Sequence, residues 1–487
     1  MDGHFDCVTN TITLNIEQYF ELNTSIANYL VCYAVYTNKF LLRGYMLANK
    51  ALIYSFLLIL LNLPHLFASN SNIALATSLE SIIKTVDPHV HIGAKFVSLK
   101  DNKTLFEKDP HHYFTPASNI KLLTAGAALY NLGPKFTFKT KLVYEGKLDK
   151  NKLTGTLYFK CEGDPSLKTA DLEKLIDTLS KKKIKTIEGD IAVDTSEFDT
   201  RAYPKGYFLD EIGAAWNFPV SALVINNKCL EEALVPAYHL PDTHMLSKNF
   251  FKELLAQKNI KLTGSIIFKK APASAKILAT HKSKPLSTLL RRMLKRSDNL
   301  YADCIFKKLG AADGGIPGTW EKGEKALKNF LEKHIKIKPE EIIIKDGSGR
   351  SYLNKFSPDH FIKFLRTLYK SPFSKEFRES LAISGAKGSL KERMLECPGC
   401  IYAKTGTLSS VSSLSGYLKK DDDYYAFSIL INGFVAAPGK VDCSSKGVKY
   451  KQDIEDTLCM SFAKKVGPRD GCSLNLSEEV LGVPNAA

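Results

Sequence analysis

The sequence predicts a mixed α/β (α+β) fold in which a domain of helices and strands is interrupted by a β-rich insertion. Apolar residues follow Thr115-Pro116-Ala117-Ser118 at helical spacing as far as Gly133-Pro134, which predicts a helix that begins near Ser118. Between about 139 and 270 the pattern changes to short alternating runs separated by Gly, Asp and Lys turns, which is typical of strands. After Ser287 the pattern is helical again, so the insertion divides the first domain into two parts.

Three short strings stand in order along the chain: Ser118-Asn119-Ile120-Lys121, Ser297-Asp298-Asn299 and Lys404-Thr405-Gly406. Each string alone is a weak signal, because the S-x-x-K spacing recurs elsewhere in the chain. The order of the three and the helix start at Ser118 make the combination specific. Capped helices and solvated polar loops are the structural alternative.

Ser118 and Lys121 suit nucleophilic catalysis, because residues three apart share one face of a helix. The helix N-terminus supplies N–H groups and a positive dipole end where an oxyanion develops. A serine hydroxyl needs a base, and Lys121 can serve if burial and the neighbouring cation Lys404 depress its pKa. We expect Ser297 to relay the proton to the leaving amine, and Asn299 to bind Lys121 and the substrate amide.

The third string opens an alternating pattern that predicts a strand along one side of the site. Gly406 would let the substrate backbone lie close to this strand. The N–H groups of Ser118 and Thr407 would form the oxyanion hole. Lys404, with Thr405 and Thr407, would receive a carboxylate, so this set suits a donor peptide that ends in a free carboxylate.

The chain resembles the class C low-molecular-mass penicillin-binding proteins, which are D-alanyl-D-alanine carboxypeptidases and endopeptidases, over about residues 80 to 435. Beyond the three strings, four more carry the resemblance: Gly163-Asp164-Pro165-Ser166-Leu167, Glu188-Gly189-Asp190-Ile191, Pro219-Val220-Ser221-Ala222-Leu223 and Asp346-Gly347-Ser348-Gly349. The resemblance implies a serine β-lactamase/transpeptidase-like domain with an inserted β-rich domain. It also implies a penicillin-sensitive serine peptidase that cuts peptidoglycan stem peptides through a Ser118 acyl-enzyme, with β-lactams as covalent inhibitors.

Two departures from the family bear on the substrate. The resemblance implies that Asp164, with an arginine after the D-G-S-G string, binds the free end of a diaminopimelate side chain. Here that arginine position holds Tyr352, and Arg350 is displaced by two residues. The family's second inserted subdomain is expected to be missing, since only a short stretch from Leu230 to Ser247 stands in its place.

The expected domain organisation follows from these patterns. Its segments are an unexplained N-terminal extension or misassigned start (1–45), a signal peptide or anchor (46–76), the first part of the transpeptidase-like domain (77–138), the inserted β-rich domain (139–282), the second part of the transpeptidase-like domain (283–435) and a C-terminal tail (436–487) with a helix from about Val448 to Val466.

The run from Ala51 to Leu63, preceded by Lys50, is nearer in length to a signal-peptide core than to a spanning helix. We therefore expect export to the periplasm or another extracytoplasmic space, with an uncleaved membrane anchor as the alternative. An oxidising compartment permits disulfides among the ten cysteines. Cys397 and Cys400 are expected to form a short structural disulfide or to remain two thiols, rather than a redox motif.

The formal charge of +16 is spread along the chain without a nucleic-acid motif, so no nucleic-acid partner is expected. It favours peripheral attraction to an anionic wall or membrane surface, and a solvated basic surface without a partner is the alternative. The histidines show no metal-ligand spacing, so no metal or other cofactor is expected. A low-turnover wall-binding scaffold and a serine β-lactamase remain as alternative functions.

Overall fold

The structure, a computed structural model, describes residues 75–86, 88–208, 211, 217–226, 243–434 and 445–465. The chain divides into two units, Met1–Ser71 and Asn72–Ala487, and every described residue belongs to the second. The expected N-terminal extension, most of the signal segment, the stretch proposed to replace a second subdomain and the end of the tail lie outside the described residues.

Strands and helices alternate in blocks along the described chain. The strands are β1 (His91–Ser98), β2 (Thr104–Lys108), β3 (Lys139–Asp149), β4 (Lys152–Cys161), β5 (Thr186–Glu188), β6 (Ile191–Asp194), β7 (Lys261–Leu262), β8 (Ile266–Phe268), β9 (Lys276–Lys282), β10 (Ala382–Ile383), β11 (Ile401–Leu408), β12 (Val411–Lys420) and β13 (Asp423–Asn432). The α-helices are α1 (75–84), α2 (Ile120–Asn131), α3 (Thr169–Lys181), α4 (Thr243–Gln257), α5 (Leu286–Lys295), α6 (Asn299–Gly314), α7 (Trp320–Phe330), α8 (Pro358–Tyr369), α9 (Ser374–Ser380) and α10 (Ser445–Lys465).

The first sheet has the strand order β10-β11-β12-β13-β1-β2, and every neighbouring pair is antiparallel. It joins the two ends of the domain, because β1 pairs with β13. Side chains along a strand alternate between faces. On β13, Ala426 and Leu430 face a core made with α2 and α5–α8, whereas Phe427 and Ile429 face a second core made with α1 and α10. The sheet is therefore covered by helices on both faces.

Helix α2 lies at the centre of the first core, and every residue from Ile120 to Leu129 is buried. Small side chains allow this close packing: a Cβ on Gly126 would lie 2.7 Å from the ring of Phe364. Apart from Lys121 and Thr124, the buried side chains of α2 are apolar on all sides, which is typical of a core helix. The turn before α2, which contains Ser118, is therefore held by a rigid element.

The strands of the second sheet all lie between Lys139 and Lys282, in the order β7-β5-β4-β3-β9, with β6 paired to both β4 and β8. The alternating sequence pattern predicted strands in this region but missed two helices that cover the sheet, α3 and α4. The signal for α3 was present, because Leu172, Leu175, Ile176 and Leu179 have helical spacing and form its buried face.

The tail helix α10 packs on the sheet instead of extending away from it. Ile454, Leu458 and Phe462 belong to the second core. The buried Arg393 guanidinium donates to Glu455 and Asp456 of this helix, in both cases at 2.7 Å. Within the described residues, no helix has the length and apolar character needed to cross a membrane.

We expect Arg393→Ala to lower the free energy of unfolding by about 3–5 kcal/mol, because it leaves the Glu455 carboxylate buried without its cation. Lys464→Ala is the control on the same helix. It breaks an exposed pair with Glu396 and should cost less than about 1 kcal/mol. Urea unfolding of the two variants measures both values, and equal losses would show that α10 is not held by the Arg393 contacts.

Candidate active site

Ser118 lies in a short 3-10 helix, Ala117–Asn119, that leads directly into α2. Its side chain is half-buried, and the preceding Ala117 has a left-handed φ of 47°. The Asp346-Gly347-Ser348-Gly349 segment packs against this turn. A Cβ on Gly349 would lie 1.8 Å from the Ala117 carbonyl oxygen, so only glycine allows the approach. Ser118, the predicted nucleophile, therefore lies on a tight turn that is supported by the D-G-S-G segment.

The Lys121 side chain is fully buried and its Nζ has three acceptors. These are Ser118 Oγ at 2.9 Å, Asn299 Oδ1 at 2.7 Å and the Ser348 carbonyl oxygen at 2.6 Å. Burial lowers the pKa of Lys121 to about 8, against the opposing effect of nearby carboxylates, chiefly Asp303. A neutral Lys121 amine has a lone pair, and Ser118 is positioned to donate to it. The contact predicted from the i,i+3 spacing is present.

The second string forms the turn before α6. Asp298 caps the helix by accepting from the Tyr301 N–H at 3.3 Å, and it also accepts from Arg292 Nε at 3.0 Å. Ser297 has a left-handed φ of 56°, and Asn299 is the first residue of the helix. The middle residue of the string is therefore a structural cap that directs its two neighbours towards the site.

Lys404 on β11 is fully buried and donates to Ser297 Oγ at 2.8 Å and to the Thr405 carbonyl oxygen at 2.5 Å. Burial, together with the positive charge of Lys121, lowers the pKa of Lys404 well below its usual value. The ammonium groups of Lys121 and Lys404 repel each other, so a charge on one favours the neutral form of the other.

Gly406 is the residue at which β11 passes Ser118. A Cβ there would lie 2.9 Å from the Ser118 backbone nitrogen and 2.3 Å from Ser413 Oγ. Thr405 Oγ1 donates to Ser389 Oγ at 2.8 Å, and Thr407 is exposed one residue beyond the glycine. The strand thus runs from Lys404 past Ser118, with polar groups on both sides of Gly406.

Tyr207, Asp303, Asp346 and Ser348 form a polar cluster next to Lys121. The sequence did not predict the contacts of Tyr207 in it. The Tyr207 hydroxyl lies 3.3 Å from Asp303 Oδ2, 3.2 Å from Asp346 Oδ2 and 3.1 Å from Ser348 Oγ. Burial and the neighbouring Asp346 raise the pKa of Asp303 to about 7. Ser348 connects this cluster to the predicted catalytic residues, because its carbonyl oxygen accepts from Lys121 Nζ.

Asp164 has a different environment from the one expected of a substrate ligand. Its side chain has no exposed surface, and Oδ1 accepts from the Ser166 N–H at 2.8 Å and the Ser166 hydroxyl at 2.6 Å. His281 Nε2 lies 3.7 Å from Oδ2, and the contact raises the pKa of His281. Oδ1 thus serves a turn, whereas Oδ2 is buried without a hydrogen-bond partner among the described residues, and the substrate role of Asp164 stays a prediction.

The displaced Arg350 is also engaged. Its guanidinium forms an ion pair with Glu211 and lies over the Tyr207 ring, 5.9 Å from the ring centroid. Tyr352 instead packs beside Leu408 and Val411, next to the end of β11. Among the described residues, no group of three His, Cys, Asp or Glu side chains is arranged to hold a metal ion.

The chain matches the model of the D-Ala-D-Ala carboxypeptidase 3 (S13) family over residues 75–239 and 237–453. It belongs to this family. The match confirms the resemblance inferred from the three strings and extends into α10, beyond the boundary expected at 435. The chain is therefore a serine-type D-alanyl-D-alanine carboxypeptidase, from a family of cell-wall enzymes that act on peptidoglycan.

Two curated relatives are similar to this chain over most of their length. D-alanyl-D-alanine carboxypeptidase DacB of Haemophilus influenzae is 26% identical over 438 residues, which cover 76% of this chain and 91% of the relative. D-alanyl-D-alanine carboxypeptidase of Actinomadura sp. is 25% identical over 418 residues, which cover 70% and 77%.

Among solved structures, penicillin binding protein 4 from Haemophilus influenzae matches with a TM-score of 0.70 and 24% sequence identity, over 78% of this chain and 99% of that chain. A second structure of that protein, in complex with a β-lactam, matches with a TM-score of 0.67 and 23% identity over the same shares of the two chains. These likenesses confirm the predicted mixed α/β fold.

We expect Asp303→Asn to move the acidic limb of the pH profile for acylation to lower pH, by about one unit. The Asp303 carboxylate stabilises the Lys121 ammonium, so its loss lowers the pKa of Lys121 and leaves more neutral base at low pH. The pH dependence of kcat/KM reports this limb.

Asp194→Asn is the control for this shift, because it changes a buried carboxylate on β6, in the second sheet, and should leave the limb in place. An unshifted limb in Asp303→Asn, with the fold intact by circular dichroism, would show that Asp303 does not set the Lys121 protonation state.

Proposed function

We propose that this carboxypeptidase acts through Ser118 as nucleophile and Lys121 as its general base, on peptidoglycan stem peptides that end in D-Ala-D-Ala. The observation that carries the proposal is the 2.9 Å contact between Lys121 Nζ and Ser118 Oγ, on a lysine whose burial lowers its pKa to about 8. A catalytic base works best with a pKa near the working pH.

In the acylation step, the Ser118 hydroxyl proton moves to the neutral Lys121 amine as Oγ forms a bond to the penultimate D-alanine carbonyl carbon. The N–H groups of Ser118 and Thr407 hold the oxyanion. The C–N bond then breaks, and the terminal D-alanine leaves as its amine after it takes a proton through Ser297. Water later cleaves the ester and restores the Ser118 hydroxyl.

The substrate carboxylate is proposed to lie against Lys404, Thr405 and Thr407. Lys404 is buried beside Lys121, and the charges of the two groups oppose each other. A bound carboxylate stabilises the Lys404 ammonium, which in turn favours a neutral Lys121. Substrate binding would thus generate the active base in the same step that positions the carbonyl.

Penicillin sensitivity and location are parts of the same proposal. A β-lactam presents a strained carbonyl and a carboxylate, so Ser118 would be acylated by it. Export to the periplasm is supported by the location of the peptidoglycan substrate, and the Cα–Cα distance of 5.7 Å between Cys397 and Cys400 is compatible with the disulfide that an oxidising compartment permits. The proposed signal at 46–76 and any peripheral membrane association rest on the sequence alone.

The carboxypeptidase proposal is favoured over β-lactamase activity by the surroundings of Ser118. Fast deacylation needs an activated water. Within the described residues, no carboxylate forms a hydrogen bond with the Ser118 side chain, and the nearby Asp346 is occupied by the N–H groups of Gly349 and Ser351.

We propose that cross-linked dimers are also cut, because endopeptidase cleavage passes through the same acyl-enzyme.

Incubation with a fluorescent penicillin tests the nucleophile. The protein should carry a covalent label that survives denaturation. Ser118→Ala should abolish it because, among the described residues, Ser118 carries the one hydroxyl that is hydrogen-bonded to Lys121 Nζ. Ser180→Ala, in a solvated lysine-rich segment with the same spacing, is the control and should label normally. A label retained by Ser118→Ala would assign the nucleophile elsewhere.

Lys404→Ala should lower the acylation rate on the order of a hundredfold, the scale for losing one preorganised electrostatic group. Lys95→Ala is the control, since that half-buried lysine pairs with Glu107 and Asp359 and has no proposed part in the reaction. Stopped-flow labelling measures both rates. If Lys404→Ala acylated as fast as the unaltered protein, Lys404 would have no part in binding the carboxylate.

A further inference from the structure

The loop that follows β6 brings Tyr207 to the polar cluster beside the proposed base. The backbone of this loop docks on the chain that follows the D-G-S-G segment. Ser351 Oγ donates to the Lys205 carbonyl oxygen at 2.8 Å, and the Tyr352 N–H donates to the Gly206 carbonyl oxygen at 3.2 Å. Gly206 has a left-handed φ of 85°, which favours glycine. The loop therefore has anchors that do not involve the Tyr207 hydroxyl.

The Tyr207 hydroxyl carries one proton and lies between two carboxylates. Its oxygen is 3.3 Å from Asp303 Oδ2 and 3.2 Å from Asp346 Oδ2. Burial and these two carboxylates raise the pKa of Tyr207 well above its usual value. The hydroxyl therefore keeps its proton and acts as a donor to this pair.

The two carboxylates depend on this donor to different degrees. Asp346 also accepts from the N–H groups of Gly349 and Ser351, both at 2.9 Å, and from Asn354 Nδ2 at 2.8 Å. Asp303 accepts at Oδ1 from the Gly347 N–H at 3.0 Å, whereas its Oδ2 faces the Tyr207 hydroxyl. Loss of the hydroxyl would leave Asp346 with these donors and would mainly affect Asp303.

The charge on Asp303 acts in turn on Lys121. The charged groups around the Lys121 ammonium are Asp298 and Asp303 at the start of α6, Asp346 and Arg350 in the D-G-S-G region, and Lys404 on β11. The carboxylates favour the ammonium form and the two cations oppose it. Asp303 has the largest of the carboxylate effects, so a group that keeps Asp303 ionised also raises the pKa of Lys121.

We propose that Tyr207 is a positioning residue for the general base: its hydroxyl keeps Asp303 ionised, and Asp303 holds Lys121 as an ammonium until substrate binds. This inference rests on the proposed role of Lys121. It gives the loop after β6 a part in the reaction, although no side chain of that loop is placed against the reacting atoms.

Tyr207→Phe keeps the ring and removes the donor. Burial and Asp346 already raise the pKa of Asp303 to about 7, close to that of Lys121, so a further rise neutralises Asp303 where Lys121 titrates. The acidic limb of kcat/KM for D-alanine release should move to lower pH by about half a unit. Below the limb the variant should be about threefold faster than the unaltered protein, whereas a merely structural defect would make it slower at every pH.

Tyr203→Phe is the control in the same loop. It removes a hydroxyl that donates to the Asn217 carbonyl oxygen at 3.4 Å, and it should leave the limb in place. A second comparison tests whether Tyr207 acts through Asp303. In an Asp303→Asn background, Tyr207→Phe should add a smaller shift than it gives alone, because the carboxylate is already absent.

An unshifted limb in Tyr207→Phe, with the fold intact by circular dichroism, would overturn the inference. So would a shift to higher pH, or an undiminished added shift in the Asp303→Asn background. An unaltered protein that releases D-alanine without any acidic limb, or a penicillin label retained by Ser118→Ala, would instead refute the proposed function on which the inference rests.

Discussion

The burial of Lys121 is the constraint on which the active site depends. A lysine without solvent contact is stable only if its ammonium hydrogens find acceptors. Here three separate parts of the chain supply them: the turn before α2, the start of α6 and the D-G-S-G segment. The same burial lowers the pKa of Lys121 to about 8, which suits the lysine to its proposed role as the base.

Assembly of these segments requires close backbone contacts, and two glycines permit them. Gly349 lets the D-G-S-G segment reach the Ala117 carbonyl, and Gly406 lets β11 pass the Ser118 backbone nitrogen. Ala117 and Ser297 both have left-handed φ angles, so the turns that direct the two serines are strained. The rigid surroundings of α2 hold this strain, because the helix is buried along almost its whole length.

Much of the site could be predicted from the sequence because its contacts are local or come from short strings. The i,i+3 spacing of Ser118 and Lys121 fixes their contact once the helix is recognised. The other two strings supplied Asn299, which accepts from Lys121, and Lys404, which donates to Ser297. Tyr207 could not be predicted, because it lies in a loop with no spacing relation to Asp303, and only the tertiary fold brings the two together.

The limits of sequence reasoning are also visible at Asp164 and in the tail. The sequence could not show that Asp164 is closed off by Ser166 and His281, since His281 comes from β9, far along the chain. The helix in the tail was predicted nearly to its ends, yet its role depends on Arg393, whose pairing with Glu455 only the fold reveals.

Helix α10 has a direct connection to the site. Lys451 donates to the carbonyl oxygens of Leu408 and Ser409, and Glu455 accepts from Ser412 Oγ at 2.7 Å. These contacts hold the turn between β11 and β12 from both sides. Because Thr407, the proposed oxyanion donor, lies two residues before that turn, a loose turn would let its N–H move. We infer that the tail helix, by fixing this turn, preorganises the strand that faces Ser118.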